Sequence, residues 1–545
     1  MNQRITKLLA IAALASAGLL NAKSLNHYLG RGVSNNMAME VINVSKAYGC
    51  SDAEDAGWFG NFTVEGFYNG SFNNKKANGV GSLMSFGGST TNVMTVGGGT
   101  TARTAFNIDG YQLGLGDRPD GTLSMKLEPK MYSAGANLML FVGANRAETG
   151  FWFKASGAVG VQSVDPQLTE SGTIGADTIY ATGTFGDAAA GAPTTATTYD
   201  TMAQAFAAKT AVSTNYKQMK YGKLDGKQTS GAKFGDINLT LGYNFVANDS
   251  TVVGVGVRGL IPTANKPTAE YALEPIFGHA GNFAVGGELF VKTTLWSSDE
   301  DANKSLNFYL NGHASHYFKA EQTRSFDTTL NQDGSRYLLV AKYNNAAIAT
   351  GGGGNTSRDS GAQFQNEVAN LINYSTLTAN STVSVEGAAA ALLDFNCGNW
   401  NMGAGVEFWG SAKEKLTITG TLPTNLVILG RQVVEVTGGG DRGYCQPNAT
   451  MNSMVAFNTT AINTEDANVK YAGLAANKIK QADLNAESAA NDARHSAKVF
   501  ANVGYKWMDS SYCPFLGLTG SADFATSKRN AASHWGVAVQ GGLCF

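Results

Sequence analysis

The chain closes on His534-Trp535-Gly536-Val537-Ala538-Val539-Gln540-Gly541-Gly542-Leu543-Cys544-Phe545. Side chains alternate between the two faces of a β-strand. Read that way, Trp535, Val537, Val539, Gly541, Leu543 and Phe545 share one face. His534, Gly536, Ala538, Gln540, Gly542 and Cys544 share the other. One face is greasy and the other small or polar. A greasy strand face must meet something apolar: the facing sheet of a soluble sandwich, or lipid around a membrane barrel. The stretches upstream choose between the two.

The same alternation recurs along the chain. Phe59–Phe72 sets Phe62, Val64 and Tyr68 against Thr63, Glu65 and Asn69. Phe151–Val164 sets Phe151 and Phe153 against Trp152 and Lys154. Phe234–Val246 sets Leu239, Leu241 and Tyr243 against Asn238, Thr240 and Asn244. Thr251–Ile261 puts Val253, Val255 and Val257 opposite Arg258. Phe283–Trp296, Ser305–Phe318, Thr382–Asn396, Asn399–Ala412, Lys498–Met508 and Cys513–Ala525 continue the rhythm. Ala102–Gly116, Thr122–Met131 and Ala136–Arg146 are poorer. The first shifts parity at Asp109-Gly110, as a bulge would allow. Pro129 weakens the second. The pattern predicts about 14 strands.

The connections then separate a barrel from a sandwich. From Phe151 onward they alternate between long and short. Asp165–Lys233, Pro262–Asn282, Lys319–Ser381 and Lys413–Ala497 are long. Ala247–Ser250, Ser297–Lys304, Cys397–Gly398 and Asp509–Tyr512 are short. Up-and-down membrane barrels have long outer loops and short periplasmic turns. A sandwich has no reason for this alternation. Composition agrees: 66 glycines, 10 prolines and 15% charged residues suit a large sheet. A mean hydropathy of -0.13 fits strands with one wet face.

At the other end, Arg4 and Lys7 precede an apolar run from Leu8 to Leu20. The pattern predicts a secretory signal peptide over residues 1–22, with Ala22 preferred over Ala17 for cleavage. Ser24–Trp58 would follow as a periplasmic lead-in or a plug in the lumen. Asn36–Ala47 within it could form a short helix.

The terminal stretch resembles the C-terminal signature of bacterial outer-membrane β-barrel proteins, which end in Phe or Trp after alternating apolar residues. With the strand rhythm and the leader, the resemblance covers most of the chain but singles out no one family. It implies an all-β, antiparallel up-and-down transmembrane barrel over residues 59–545, of the porin or solute-channel kind. It implies the outer membrane of a Gram-negative envelope, with outer-membrane lipids and the barrel assembly machinery as partners. A homo-oligomer stays open. Passive diffusion of small hydrophilic solutes through a water-filled lumen is the expected role, without enzyme activity or cofactor. The alternatives are a long-chain fatty-acid or other hydrophobic-substrate channel with an N-terminal plug, or a structural or adhesive surface protein. A net charge of -2 argues against a nucleic-acid partner.

Parity places Glu65, Lys154, Asp236, Arg258, Glu288, Lys292, Glu386, Asp394, Glu407, Lys498 and Lys506 on the lumen face. Charge is costly against lipid, so the assignment is physically sensible. These residues form either a filtering constriction or a set of wall charges paired across strands. Trp400, Trp507, Trp535, Tyr243, Tyr505 and Phe545 are expected in interfacial girdles. Gly351–Gly354 lacks the setting of a phosphate loop and reads as a flexible connection. Glu465–Ala497 suits a helix on propensity. The six histidines show no metal spacing beyond a loose His313/His316 pair. Cys513 and Cys544 should fall opposite one another, within disulfide range.

Overall fold

The computed structural model describes residues 31, 33, 36–49, 57–72, 92–97, 108–115, 122–146, 148–172, 198–208, 216–298, 304–331, 333–343, 364–434, 442–445, 478–510, 512–525 and 533–545. The expected signal peptide and the Gly351–Gly354 run lie outside them.

Twelve antiparallel strands close into a barrel. In chain order they are β1 (Trp58–Ser71), β2 (Lys130–Ala144), β3 (Gly150–Asp165), β4 (Ile237–Ala247), β5 (Thr251–Ile261), β6 (Ala284–Ser297), β7 (Lys304–Ser325), β8 (Thr376–Cys397), β9 (Trp400–Ser411), β10 (Arg494–Lys506), β11 (Pro514–Ala525) and β12 (His534–Cys544). Each pairs with the next, and β1 pairs with both β2 and β12. The terminal stretch is thus the closing strand, with Glu65 opposite Gln540 and Phe62 opposite Leu543. Closure leaves no strand edge, which is the condition for a sheet in lipid.

The outside of the sheet is apolar. Leu241, Val257, Val406, Leu516, Val537 and Val539 are all exposed. Trp535 and Phe545 mark the two rims of this band. Ten residues of strand separate them, ~33 Å along the chain and roughly 25 Å once the strand tilts as barrel strands do. Aromatic rings gather at both levels. Trp400 and Trp507 each stand 5.1 Å from Tyr505 at the lower rim. Tyr68 lies 5.7 Å from Trp535 at the upper rim.

Two of the 14 expected strands are not barrel strands. Within Ala102–Gly116 the structure has a two-residue strand, Ile108–Asp109, and then a 3-10 turn, Gly110–Leu113. The Asp109 carboxylate accepts from the Tyr111 amide at 3.0 Å, so Asp109-Gly110 is a capped turn and not a bulge. Thr122–Leu127 joins a four-stranded sheet outside the barrel with Val93–Gly97 and Leu168–Ser171. Its alternation is real, but Leu123, Met125 and Leu127 cover a protein core, not lipid. The barrel strand begins only at Lys130, after Pro129, where no ladder N–H is lost.

All the short connections lie at one end, where β1 starts and β12 stops: 145–149, 248–250, 298–303, 398–399 and 507–513. The opposite end carries 72–129, 166–236, 262–283, 326–375, 412–493 and 526–533. There β7 and β8, each of 22 residues, run well past the apolar band. Described parts of five of those six connections, all but 526–533, share one apolar core, including Met94, Phe206, Leu273, Phe326, Ile372, Leu426 and Leu484. The Ala-rich stretch proposed as a helix shows none in its described residues. It makes short 3-10 turns at Gln481–Asp483 and Ala486–Ala489, then enters β10 at Arg494.

Candidate functional site

Met37–Gly49 forms an α-helix, α1, lying inside the barrel. The sequence encodes it with no Pro and with Gly at its end. Residues 37–48 are buried all round, because wall surrounds the helix on every side. The lumen is therefore not an open pore in this structure.

The charges assigned to the lumen from parity are all buried in the structure. Several of them seat α1. Glu40 sits among Lys154, Arg258 and Glu288, from β3, β5 and β6. Arg258 donates to both Glu40 oxygens at 2.8 Å and to Glu288 at 3.2 Å. Lys154 donates to both carboxylates. Thr240 adds a 2.9 Å bond to Glu288. Burial alone would raise the Glu40 carboxyl, but Arg258 and Lys154 outweigh it and hold it well below its ordinary value.

Glu407 holds the start of the helix. It accepts from the Met37 and Ala38 amides at 3.3 and 3.2 Å, and from Lys498 at 3.0 Å. A carboxylate there satisfies free amides and complements the helix dipole. Arg31 pairs with the same carboxylate and with Asp523 at 3.2 Å. In the middle, Asn61 donates to the Asn43 carbonyl at 2.8 Å. At the far end Lys46 donates to Asn401 at 2.9 Å. Asp394 accepts from Asn396 at 3.0 Å and also from Asn401, and Lys506 donates to Asn396 at 3.3 Å. The Lys292 ammonium stands 5.5 Å from the Tyr48 ring.

Below the charged collar the plug is aromatic. Tyr48 packs at 4.9 Å on Phe59, 5.6 Å on Phe290 and 6.0 Å on Phe141. Trp152 completes the cluster over glycines of β4 and β5. A methyl at Gly242 would fall 2.2 Å from its ring.

A second element enters from the other end. The 262–283 connection folds into the mouth and buries Phe277 against Phe67 and Ala158. Val33 donates to the Phe277 carbonyl at 3.4 Å, so the two inserts touch. His279 ties the connection down, 2.6 Å from Asp236 and 3.1 Å from Glu386. Burial opposes its protonation, but Glu386 and Asp236 outweigh burial and push its pKa up to about 10. No local pattern marks His279; only the fold brings it between the buried carboxylates of Asp236 and Glu386. Glu40 and Arg31 were likewise missed, since their role depends on the helix turning into the lumen.

Between α1 and the β1, β10, β11 and β12 wall a cavity of about 30 Å³ remains, lined by Ala38, Met39, Glu65, Lys498 and Thr519 among others. Glu65 accepts from Asn137 at 3.3 Å through one oxygen only. Cys513 and Cys544 are buried at the short-turn end and are not joined to each other.

No family model matches the chain, and no curated protein matches it. Solved structures with a similar course include an outer membrane channel from Pseudomonas putida F1. It is 10% identical, with 91% of this chain and all of that one covered, at a TM-score of 0.35. A TodX monoaromatic hydrocarbon channel mutant is 8% identical over 96% of both chains, at 0.31. A Pseudomonas aeruginosa FadL homologue is 10% identical over 97% and 98%, at 0.23. The chain's own closed ladder and apolar band make it a transmembrane β-barrel. Within that barrel Lys154, Arg258, Glu407 and Lys292 contact the inserted helix.

Proposed function

We propose that the protein is a gated outer-membrane channel through which small hydrophilic solutes diffuse passively once the plug moves. On this reading the short turns face the periplasm and the long connections face outside. The apolar band meets outer-membrane lipid, and assembly uses the envelope's barrel-inserting machinery. What supports the proposal is the polar wall: the charges assigned to the lumen are buried, and Lys154, Arg258 and Glu407 among them hold a helix that is not one of the barrel strands. Displacing α1 would leave a wet, charged passage, and neither cofactor nor catalysis enters.

One observation favours a hydrophobic substrate instead. The Tyr48 aromatic cluster below the collar places apolar side chains within the lumen. Purified protein in planar bilayers tests the choice. Brief, stepwise openings, lengthened in Glu40→Gln, support the hydrophilic channel. No openings in either form, with uptake of an apolar dye into proteoliposomes, supports the second reading. Neither result overturns a channel role.

A further inference from the structure

β7 and β8 lose register at one level, and each carries a bulge there. Between the pairs Ser315–Glu386 and Tyr317–Val383, His316 stands opposite both Ser384 and Val385. Between Tyr317–Val383 and Ala320–Ser381, Phe318 and Lys319 both stand opposite Thr382. A bulge breaks the alternation of side chains and re-aims them. Ser384 and Val385 are accordingly both exposed, and so are Phe318 and Lys319. The 262–283 connection fixes the second bulge from inside, where Asn282 donates to the carbonyls of Phe318 and Ser381 at 2.8 and 3.0 Å.

The bulges also mark the edge of the apolar band. The outward series on β8 runs Phe395, Leu393, Ala389 and Val385, and then turns polar at Ser384, Thr382 and Thr378. On β7 it turns from Phe318 to Lys319 and Glu321. The exposed rings of Phe318 and Phe283 lie 5.9 Å apart at this level. Just above it Lys319, Thr382 and Lys415 form an outward row on three neighbouring strands. The third is the short strand Glu414–Ile418, which pairs with the upper part of β8 and sets Lys415 opposite Thr382. Strands lie about 4.8 Å apart, so the two lysine backbones are about 10 Å apart and their long side chains can converge on one oxyanion. Both lysines are exposed, and among the described residues neither has an ion-pair partner. Lys413 close by is matched by Glu487 at 2.9 Å. Glu321 stands one outward step farther from the band.

We propose that Lys319, Thr382 and Lys415 bind the phosphate of a membrane lipid whose chains lie on Phe318 and Val385. Two ammoniums and a hydroxyl offer donors to the phosphate oxygens, and the bonds from lysine are charge-assisted. The row stands where the apolar band gives way to water, which is the level at which a lipid carries its phosphate. Free phosphate would meet the same charges and gain nothing from the apolar side chains below. The proposal rests on the barrel and its band and not on the channel reading, so either can fail without the other.

The test compares two lipids that differ only in the phosphate. Full-length protein in a nonionic detergent is equilibrated with equal amounts of dioleoyl phosphatidic acid and dioleoylglycerol, and the lipid that co-elutes with it on size exclusion is counted by mass spectrometry. The wild type should retain phosphatidic acid at least fivefold over the diacylglycerol. Lys319→Gln with Lys415→Gln should bring the ratio close to one, and Lys319→Arg with Lys415→Arg should keep it. These side chains are exposed, so the heat-modifiable band should persist in every form. Lys130→Gln with Lys227→Gln, on the β2–β3 side of the barrel, should leave the ratio unchanged. A wild type without preference overturns the site, as does a glutamine pair at 319 and 415 that retains phosphatidic acid like the wild type. An equal loss in the Lys130 and Lys227 pair shows attraction to overall charge and also overturns it. Complete displacement of the lipid by millimolar inorganic phosphate would make the row a site for free phosphate and overturn the lipid assignment.

Discussion

Arg258 grips Glu40 through two parallel hydrogen bonds of 2.8 Å, joining a wall strand to the plug helix across 218 residues of sequence. Both groups are buried, so the pair stands out of water with Lys154 and Glu288 as its remaining neighbours. Such a pair adds little net stability, because desolvation offsets attraction. Losing one partner is another matter, since a buried charge is left uncompensated. The pair therefore acts as a latch: tight when complete and expensive when half broken.

Glu40→Gln should weaken the seat of α1 by about 3–5 kcal/mol. The barrel itself should survive, because no ladder bond depends on Glu40. Open probability in planar bilayers should rise at least tenfold while the heat-modifiable band is kept. The folded carboxyl lies below its ordinary value of 4.5. The latch is thus complete above about pH 4.5 and is lost as pH falls through the lowered value. Wild-type openings should lengthen in strong acid, and Glu40→Gln should lack that response. An identical acid profile in both proteins would sink the latch.

His279 gives the second insert the opposite pH sense. Its pKa is raised to about 10 between Asp236 and Glu386. The hold of the 262–283 connection is then full below about pH 6.5 and is lost as pH rises through 10. Conductance should increase between pH 8 and 11 in the wild type. His279→Gln should be leakier at pH 7 and flatter over the same range. Lysines also titrate there, so the difference between the two profiles is the readout; parallel profiles would refute the role.

Charge on the outer face should damage assembly where charge on the inner face does not. Leu241 and Val537 are 59% and 47% exposed on the apolar band. Arginine at either should cost roughly 2–4 kcal/mol near the midplane. Asn238, inward and adjacent in sequence to that face, should accept arginine and change conductance instead. A heat-modifiability assay in which Leu241→Arg and Asn238→Arg behave alike would contradict the orientation of β4.

The sequence carried the barrel because strand alternation survives in any one stretch, and Leu239, Leu241 and Tyr243 announce their face without help. It could not separate lipid from protein as the apolar partner. That is why Thr122–Leu127, which covers the outer core, read as a barrel strand and raised the count by one; Ala102–Gly116 raised it by another. The lumen charges were legible as a set, for the same reason of parity. Their partners were not. Glu40 meets Arg258, and His279 meets Asp236 and Glu386, only after helix and connection fold into the barrel, and no local spacing encodes that.

The last expectation concerns Cys513 and Cys544. Pro514 stands opposite Leu543, so the two cysteines face each other one step below. The Cys544 amide donates to the Cys513 carbonyl at 3.4 Å. They share a small buried cluster with Phe515 and Met508. Their sulfurs are not joined to each other: Cys513 Sγ lies 3.5 Å from Met508 Sδ, and Cys544 Sγ lies 3.6 Å from the Lys46 carbonyl of the plug. Directly opposed strand residues have Cα atoms about 4.5–5.5 Å apart, inside the disulfide range. In the oxidising compartment proposed for this end, the bond can form. It would close the β11–β12 hairpin, and in the chain-entropy account a loop of that length gains about 3–4 kcal/mol. Forming it would turn Cys544 Sγ away from Lys46 and remove one contact to the helix end. Non-reducing peptide mapping of protein taken from membranes should recover a Cys513–Cys544 peptide. Cys544→Ser should lower thermal stability without reductant and leave it unchanged with reductant. Free alkylation of both thiols after denaturation without reductant would show that the bridge does not form.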